Sequence, residues 1–123
     1  MQPKNESVQA TVLNDKTIPQ FLQQAQHNHD EINGGFSKSP KFPHASTLTT
    51  LLTIDRLQSD DKIKKMITHT LDSMALGGLY DHVDGGFCRY STDESWLVPH
   101  FEKMTYDNAL LCGLYARTGI VYH

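Results

Sequence analysis

Asp93, His100, Glu102 and His82 are the residues of this chain best suited to acid–base chemistry, and all four fall between Gly77 and Asn108. A general acid and base need groups on either side of a bound substrate, and carboxylates and imidazoles are the usual choices. Asp93 falls at the tip of an expected turn, and Asp107 falls inside an expected helix, where it could bond the first turn, so each could instead bond its own backbone. His82 and His100, with Asp81 and Glu102 nearby, form a loose constellation. It lacks the tight i, i+4 spacing of a helical metal site, so neither a metal nor a cofactor is expected.

A second set of residues suits ligand binding. Arg89 could hold a carboxylate or phosphate through its planar fork, or form a salt bridge with Asp81, Asp84 or Glu102. Tyr90 and Trp96 could stack on a sugar ring or anchor a hairpin. Lys41, between Pro40 and Phe42, either enters the same cleft or is solvated. Tyr106, Asp107 and Asn108 close the loop and complete the candidate set. Cys88 and Cys112 make a poor redox pair, because a reactive thiolate needs nearby positive charge and only Cys88 has an adjacent arginine.

Most of the segment from Gly77 to Asn108 has neither helical nor sustained strand periodicity, yet it is rich in aromatics. So long an irregular stretch is usually functional or disordered. The aromatics argue for order, because they bury large apolar area on folding.

The elements that position this loop read as four helices. Thr17 can cap the first, which should fade near His29, with Ile18, Phe21, Leu22 and Ala25 on one face. The second spans about Ser46 to Leu57. A third has Ser59 at its cap, Asp60 and Asp61 in its first turn, and Gly77 past its end. The fourth runs from about Glu102 to Thr118 with Gly119 as its stop. Its stretch from Ala109 to Ala116 is apolar nearly all round, which predicts burial on most sides and close backbone packing at Gly113. A short hairpin is expected to pair Phe87–Tyr90 with Trp96–Val98. The glycine pairs at 34–35, 77–78 and 85–86 lack phosphate-loop spacing and should serve turns with positive φ. The fold class is therefore all-α, with residues 1–16 a flexible segment and 17–123 a helical domain.

Composition sets outer limits. The chain has 123 residues and a net charge of −3. That charge leaves no basic footprint for nucleic acid, and no apolar run reaches the ~20 residues of a membrane span. Two cysteines and no signal peptide pattern make a reducing cytoplasm the expected setting.

Two stretches carry a resemblance: GGFSKSPKFPHASTLTTLL, and LDSMALGGLYDHVDGGFCRYSTDESWLVPHFEKMTYDNALL. From roughly Asp30 to Tyr115 the chain resembles the thioredoxin-domain-containing family of spermatogenesis-associated proteins and their bacterial relatives. The resemblance implies the opening hairpins of an (α/α)6 toroid, similar to N-acylglucosamine 2-epimerases and six-hairpin glycosidases. In such toroids, loops at one end of the inner helices surround a sugar-binding cleft. No thioredoxin-like region or Cys-x-x-Cys pair precedes the match, and Cys88 stands where relatives often have histidine. The expectation is a fragment or truncated relative without turnover of its own, which binds a sugar or associates with further toroid segments or another copy. A helical interaction module, or an accessory to a thioredoxin-like redox partner, are the alternatives.

Overall fold

The computed structural model describes residues 17–122, so the expectation for residues 1–16 lies outside it. The described residues are all-α apart from one two-stranded patch. In order come α1 (Thr17–Asn28), α2 (Ala45–Leu57), α3 (Asp61–Leu76), β1 (Tyr90–Ser91), β2 (Pro99–His100) and α4 (Thr105–Tyr122). The helix α2 is central and packs against α1, α3 and α4. Its Leu48, Leu51, Leu52 and Ile54 meet Ile63, Met66, Ile67, Leu71 and Met74 of α3, with Leu111 and Leu114 of α4, in one buried core. Each such side chain contributes about 1.5–3 kcal/mol when fully buried.

Asp55 is buried on α2 and ties three elements together. Its carboxylate accepts the Asp60 N–H at 2.9 Å and the Tyr122 hydroxyl at 2.7 Å. This fixes both the α2–α3 turn and the end of α4.

Several local expectations need correction. The cap of α3 is Asp60, not Ser59: its carboxylate accepts the Lys62 N–H at 2.9 Å. The helix α4 starts at Thr105, because the Glu102 carbonyl is still accepting the Arg89 N–H of the hairpin at 2.8 Å. It also runs through Gly119, carried on by buried Thr118 and by Tyr122 on Asp55. Nor is α4 buried on most sides. Ala109, Leu110, Cys112, Ala116 and Ile120 are exposed, and no atom lies within 4 Å of a side chain placed at Gly113.

The hairpin also departs from expectation. Tyr90 pairs with His100 and Ser91 with Pro99, so the strands lie further out than expected. Asp93 causes the shift by collecting the N–H groups of Ser95, Leu97 and Val98, which widens the turn to residues 92–98. Trp96 leaves the strand with a left-handed φ of 61° and turns inward. On its other edge Ser91 exchanges two backbone bonds with Lys41, at 2.7 and 2.8 Å.

Positive φ holds for Gly34, Gly35, Gly85 and Gly86, but not for Gly77, which has φ −87°. Gly77 and Gly78 are needed for space instead. The backbone of Trp96 and Leu97 lies against them, and a Cβ at either would collide with it.

Candidate functional site

Two loops, residues 29–44 after α1 and 77–104 after α3, are built on one pattern. The first reads His-Asp-Glu-Ile-Asn-Gly-Gly-Phe from His29, and the second Tyr-Asp-His-Val-Asp-Gly-Gly-Phe from Tyr80. In each, the aspartate accepts the N–H groups two and three residues on: Ile32 and Asn33 for Asp30, Val83 and Asp84 for Asp81. In each, the aspartate's own N–H and C=O bond to the paired glycines, closing a tight loop with two positive φ values. The flanking rings also match, His29 lying 5.4 Å from Phe36 and Tyr80 5.1 Å from Phe87. Finally a lysine grips each aspartate, Lys41 on Asp30 at 2.7 Å and Lys103 on Asp81 at 2.6 Å.

The copies differ in what covers them. Lys41 is wholly buried. Its ammonium also donates to the Glu94 carbonyl at 2.8 Å and lies 5.3 Å from the centre of the Trp96 ring. Lys103 keeps about a third of its side chain in solvent (35%) and donates to the Gly85 carbonyl at 2.9 Å. Between Phe87 and Lys103 the second loop carries the hairpin, which the first lacks. That hairpin reaches back onto the first loop and closes it.

The expected acid–base residues are held separately. Burial opposes ionisation of Asp93, but bonds from the Val98 N–H, Ser95, Ser91 and the Leu97 N–H outweigh it and keep the carboxyl well below the usual range. His82 Nε2 lies 3.0 Å from the Gly77 carbonyl oxygen, and its ring meets Tyr80 edge-on. Glu102 accepts from Arg89 at 3.3 Å in an exposed pair. His100 is exposed and stacks on Tyr90 at 4.8 Å, and the Phe42 ring lies tilted 4.8 Å from Tyr90. Among the described residues, no hydrogen bond or ion pair joins any two of Asp93, His100, Glu102 and His82.

The binding candidates divide in the same way. Trp96 is buried, with its indole N–H donating to the Asn33 carbonyl at 2.9 Å, so it is the hairpin's anchor. Lys41 does not face an open cleft. Asn108 clamps the second loop: its Oδ1 accepts the Phe87 N–H at 2.6 Å, and its Nδ2 donates to the Phe87 and Met104 carbonyls. Asp107 sits in the first turn of α4, where its charge complements the helix dipole. Tyr106 projects outward at 73% exposure.

Asp30, Asp81 and Lys103 are central to this geometry and were not among the expected site residues. The signal for them is the repeated Asp-x-(Ile/Val)-(Asn/Asp)-Gly-Gly-Phe, which is visible only when the two loops are read against each other. Lys103 lowers the Asp81 carboxyl to about 2, helped by the Asp84 and Val83 N–H groups. Burial opposes ionisation of Asp30, but Lys41 and Asn33 hold its carboxyl well below the usual range.

Comparison with known proteins finds relatives over most of the chain. Over 100 residues, 78% of this chain, the sequence is 48% identical to a human protein. That relative is spermatogenesis-associated protein 20. The mouse spermatogenesis-associated protein 20 is 46% identical over the same share of the chain. A Caenorhabditis elegans protein is 42% identical over 95 residues, or 74% of the chain. The chain spans 13% of the length of these relatives. No family model matches the chain. The name spermatogenesis-associated protein 20 states no reaction, so the geometry of the loops carries the functional argument. No described helix is long and apolar enough to cross a membrane.

Proposed function

We propose that this chain is a helical-hairpin portion of a larger (α/α) toroid protein, and that its loop end lines a sugar-binding cleft without acid–base turnover. The observation that supports this most is the state of Asp93. A general acid must hold a proton near working pH, whereas this carboxylate is ionised and occupied by three backbone N–H groups and two hydroxyls. What remains outward is a binding surface. Its candidate members are the Tyr90–His100 aromatic pair, the exposed Arg89–Glu102 pair and exposed Tyr106. Stacked rings with a polar pair suit a sugar, which offers C–H faces and hydroxyls. Both cysteines are free thiols, which suits the cytoplasm as its setting.

Buried Trp96 is a poor reporter of ligand, so the test is amide shift mapping of the labelled chain with monosaccharides and disaccharides. Shifts confined to Arg89, Tyr90, His100, Glu102 and Tyr106 are expected. Shifts centred elsewhere, or none at saturating sugar, count against the reading.

A second reading, a non-catalytic module that joins other protein, is favoured by the apolar side chains left outward. Val83, Leu97, Phe101 and Ile120 are all at least 66% exposed. The redox reading gains nothing, because burial pushes the Cys88 thiol up and away from thiolate chemistry.

A further inference from the structure

The repeat shows how one loop of this type is completed, and the second loop lacks that completion on one side. The two glycine pairs share a backbone conformation, with φ of 78° and 86° at Gly34 and Gly35 and of 81° and 85° at Gly85 and Gly86. In the first copy α3 lies across the turn. The Gly35 N–H donates to the Thr70 hydroxyl at 3.0 Å. A Cβ at Gly34 would meet the His69 carbonyl oxygen, Thr70 Cα and Ser73 Oγ, each at 3.1 Å. His69 also meets the His29 ring edge-on at 5.7 Å. Gly34, Gly35 and Phe36 are buried. In the second copy the equivalent Gly86 N–H has no partner among the described residues. A Cβ at Gly85 would find only the Tyr80 hydroxyl, at 3.8 Å, and Gly85, Gly86 and Phe87 are half-exposed. Beside them opens a cavity of about 460 Å³. Its lining includes Tyr80 and Gly86, the counterparts of the His29 and Gly35 that α3 touches, together with Phe87, Asn108, Cys112 and Tyr115. The other side of Gly86 is already filled, by Asn108, as that of Gly35 is by Trp96.

We propose that this open side of the Gly85–Phe87 loop, with its cavity, is the docking site for one further α-helix that presents a serine or threonine hydroxyl to the Gly86 N–H, as α3 presents Thr70 to Gly35. The same helix covers α4, as α3 covers α2 with its Ile63, Met66, Ile67, Leu71 and Met74 stripe. The outward side of α4 is shaped for it. Ala109 and Ala116 lie one turn either side of cavity-lining Cys112, all three are exposed, and a side chain at Gly113 would meet nothing within 4 Å. Small residues in that pattern let a neighbouring helix pack closely. The helix must come from a following unit, because in a second folded copy α3 is already seated on its own first loop with Thr70 bonded to Gly35. Relatives of which this chain spans 13% have length to supply one. The proposal rests on the reading that the chain works beside further hairpins, and not on the sugar.

Cys112 lines the cavity and is exposed, while Cys88 is buried, which gives a selective handle. A peptide of the α3 sequence, residues 61–76, carries a terminal cysteine on a flexible linker and is joined to Cys112 as a disulfide. Tethering supplies an effective concentration on the order of millimolar, so even weak docking registers. Amide hydrogen exchange of the chain, read by NMR, is the measurement. The Gly86 amide is expected to exchange roughly tenfold more slowly with this peptide than with its Thr70→Val form, which keeps the shape and lacks the hydroxyl acceptor. In the chain itself, Thr70→Val should speed exchange of the Gly35 amide toward the rate of Gly86. Equal Gly86 exchange with the threonine and valine peptides overturns the proposal. So does a Gly35 amide that stays protected in the chain variant, since the hydroxyl would then not be what completes the loop. Concentration-dependent protection of Gly86 in the untethered chain also overturns it, by making the occupant a second copy. Because the readout contains no sugar, its failure leaves the cleft reading standing, and a failed sugar titration leaves the docking site standing.

Discussion

Replacing Lys41 with methionine should be among the most damaging single changes outside the apolar core. The substitution keeps most of the buried stem and removes the ammonium. Asp30 is then left with 18% side-chain exposure and no cation, and the Glu94 carbonyl loses its donor. Breaking a buried pair from one side costs about 3–5 kcal/mol. Asp30 retains its bonds from Ile32 and Asn33, which places the expected loss near the lower end, at about 3 kcal/mol. Urea unfolding followed by helical circular dichroism measures it. Asp30→Asn keeps the acceptor for those two N–H groups, so the double variant should regain about 1–2 kcal/mol relative to additivity. Lys103→Met is the internal control. Its pair with Asp81 is a solvent-accessible version of the same contact, so the loss should be far smaller. A Lys41→Met loss below about 1 kcal/mol, or a cycle with no coupling, would refute the claim that a buried cation pins the two loops together.

Three further outcomes follow from the same contacts. Asn108→Ala strips the Phe87 N–H and the Phe87 carbonyl of their side-chain partner, while the Met104 carbonyl keeps the backbone N–H of residue 108, and should cost about 1–3 kcal/mol in chemical denaturation, whereas a role confined to ligand contact would leave stability unchanged. Acid should destabilise the fold in two stages. His29 and His44 are lowered from 6.5, chiefly by burial, so their contribution is present above that value and fades as pH falls below it. Asp30, Asp81 and Asp93 are depressed below 3.8, so theirs is complete above 3.8 and is lost as pH falls further, for Asp81 through about 2. Thermal unfolding across pH 2–8 would show this, and a transition temperature flat from pH 7 to 3 would not fit. Maleimide should modify Cys112 in the native protein and reach Cys88 only on unfolding, which mass spectrometry of digests can read.

The helices were legible because their stripes are local. Leu48, Leu51 and Leu52 on α2, and Ile63 to Met74 on α3, recur at helical spacing and are buried where that spacing puts them. What escaped local reading depends on distant partners. The hairpin register is set by Asp93 gathering three N–H groups, a choice that strand propensity does not encode. Lys41 looked like a loop lysine because its partner Asp30 and its cover Trp96 lie far along the chain. The apolar surface of α4 reads as a buried helix in sequence, yet within residues 17–122 no other element covers Leu110, Ala116 or Ile120. The types of Asp93, His100, Glu102 and His82 suit acid–base chemistry, but type alone does not separate chemistry from architecture, because a carboxylate that caps a turn and one that moves a proton are the same letter.

Asp93 as an ionised turn-holder is the central claim, and carbon-detected titration of its carboxyl group tests it most directly. The structure predicts that the Asp93 carboxyl stays ionised down to pH values well below the ordinary aspartate value of 3.8. A carboxyl that still carries its proton at about pH 5 or above would contradict the account and return Asp93 to the role of general acid.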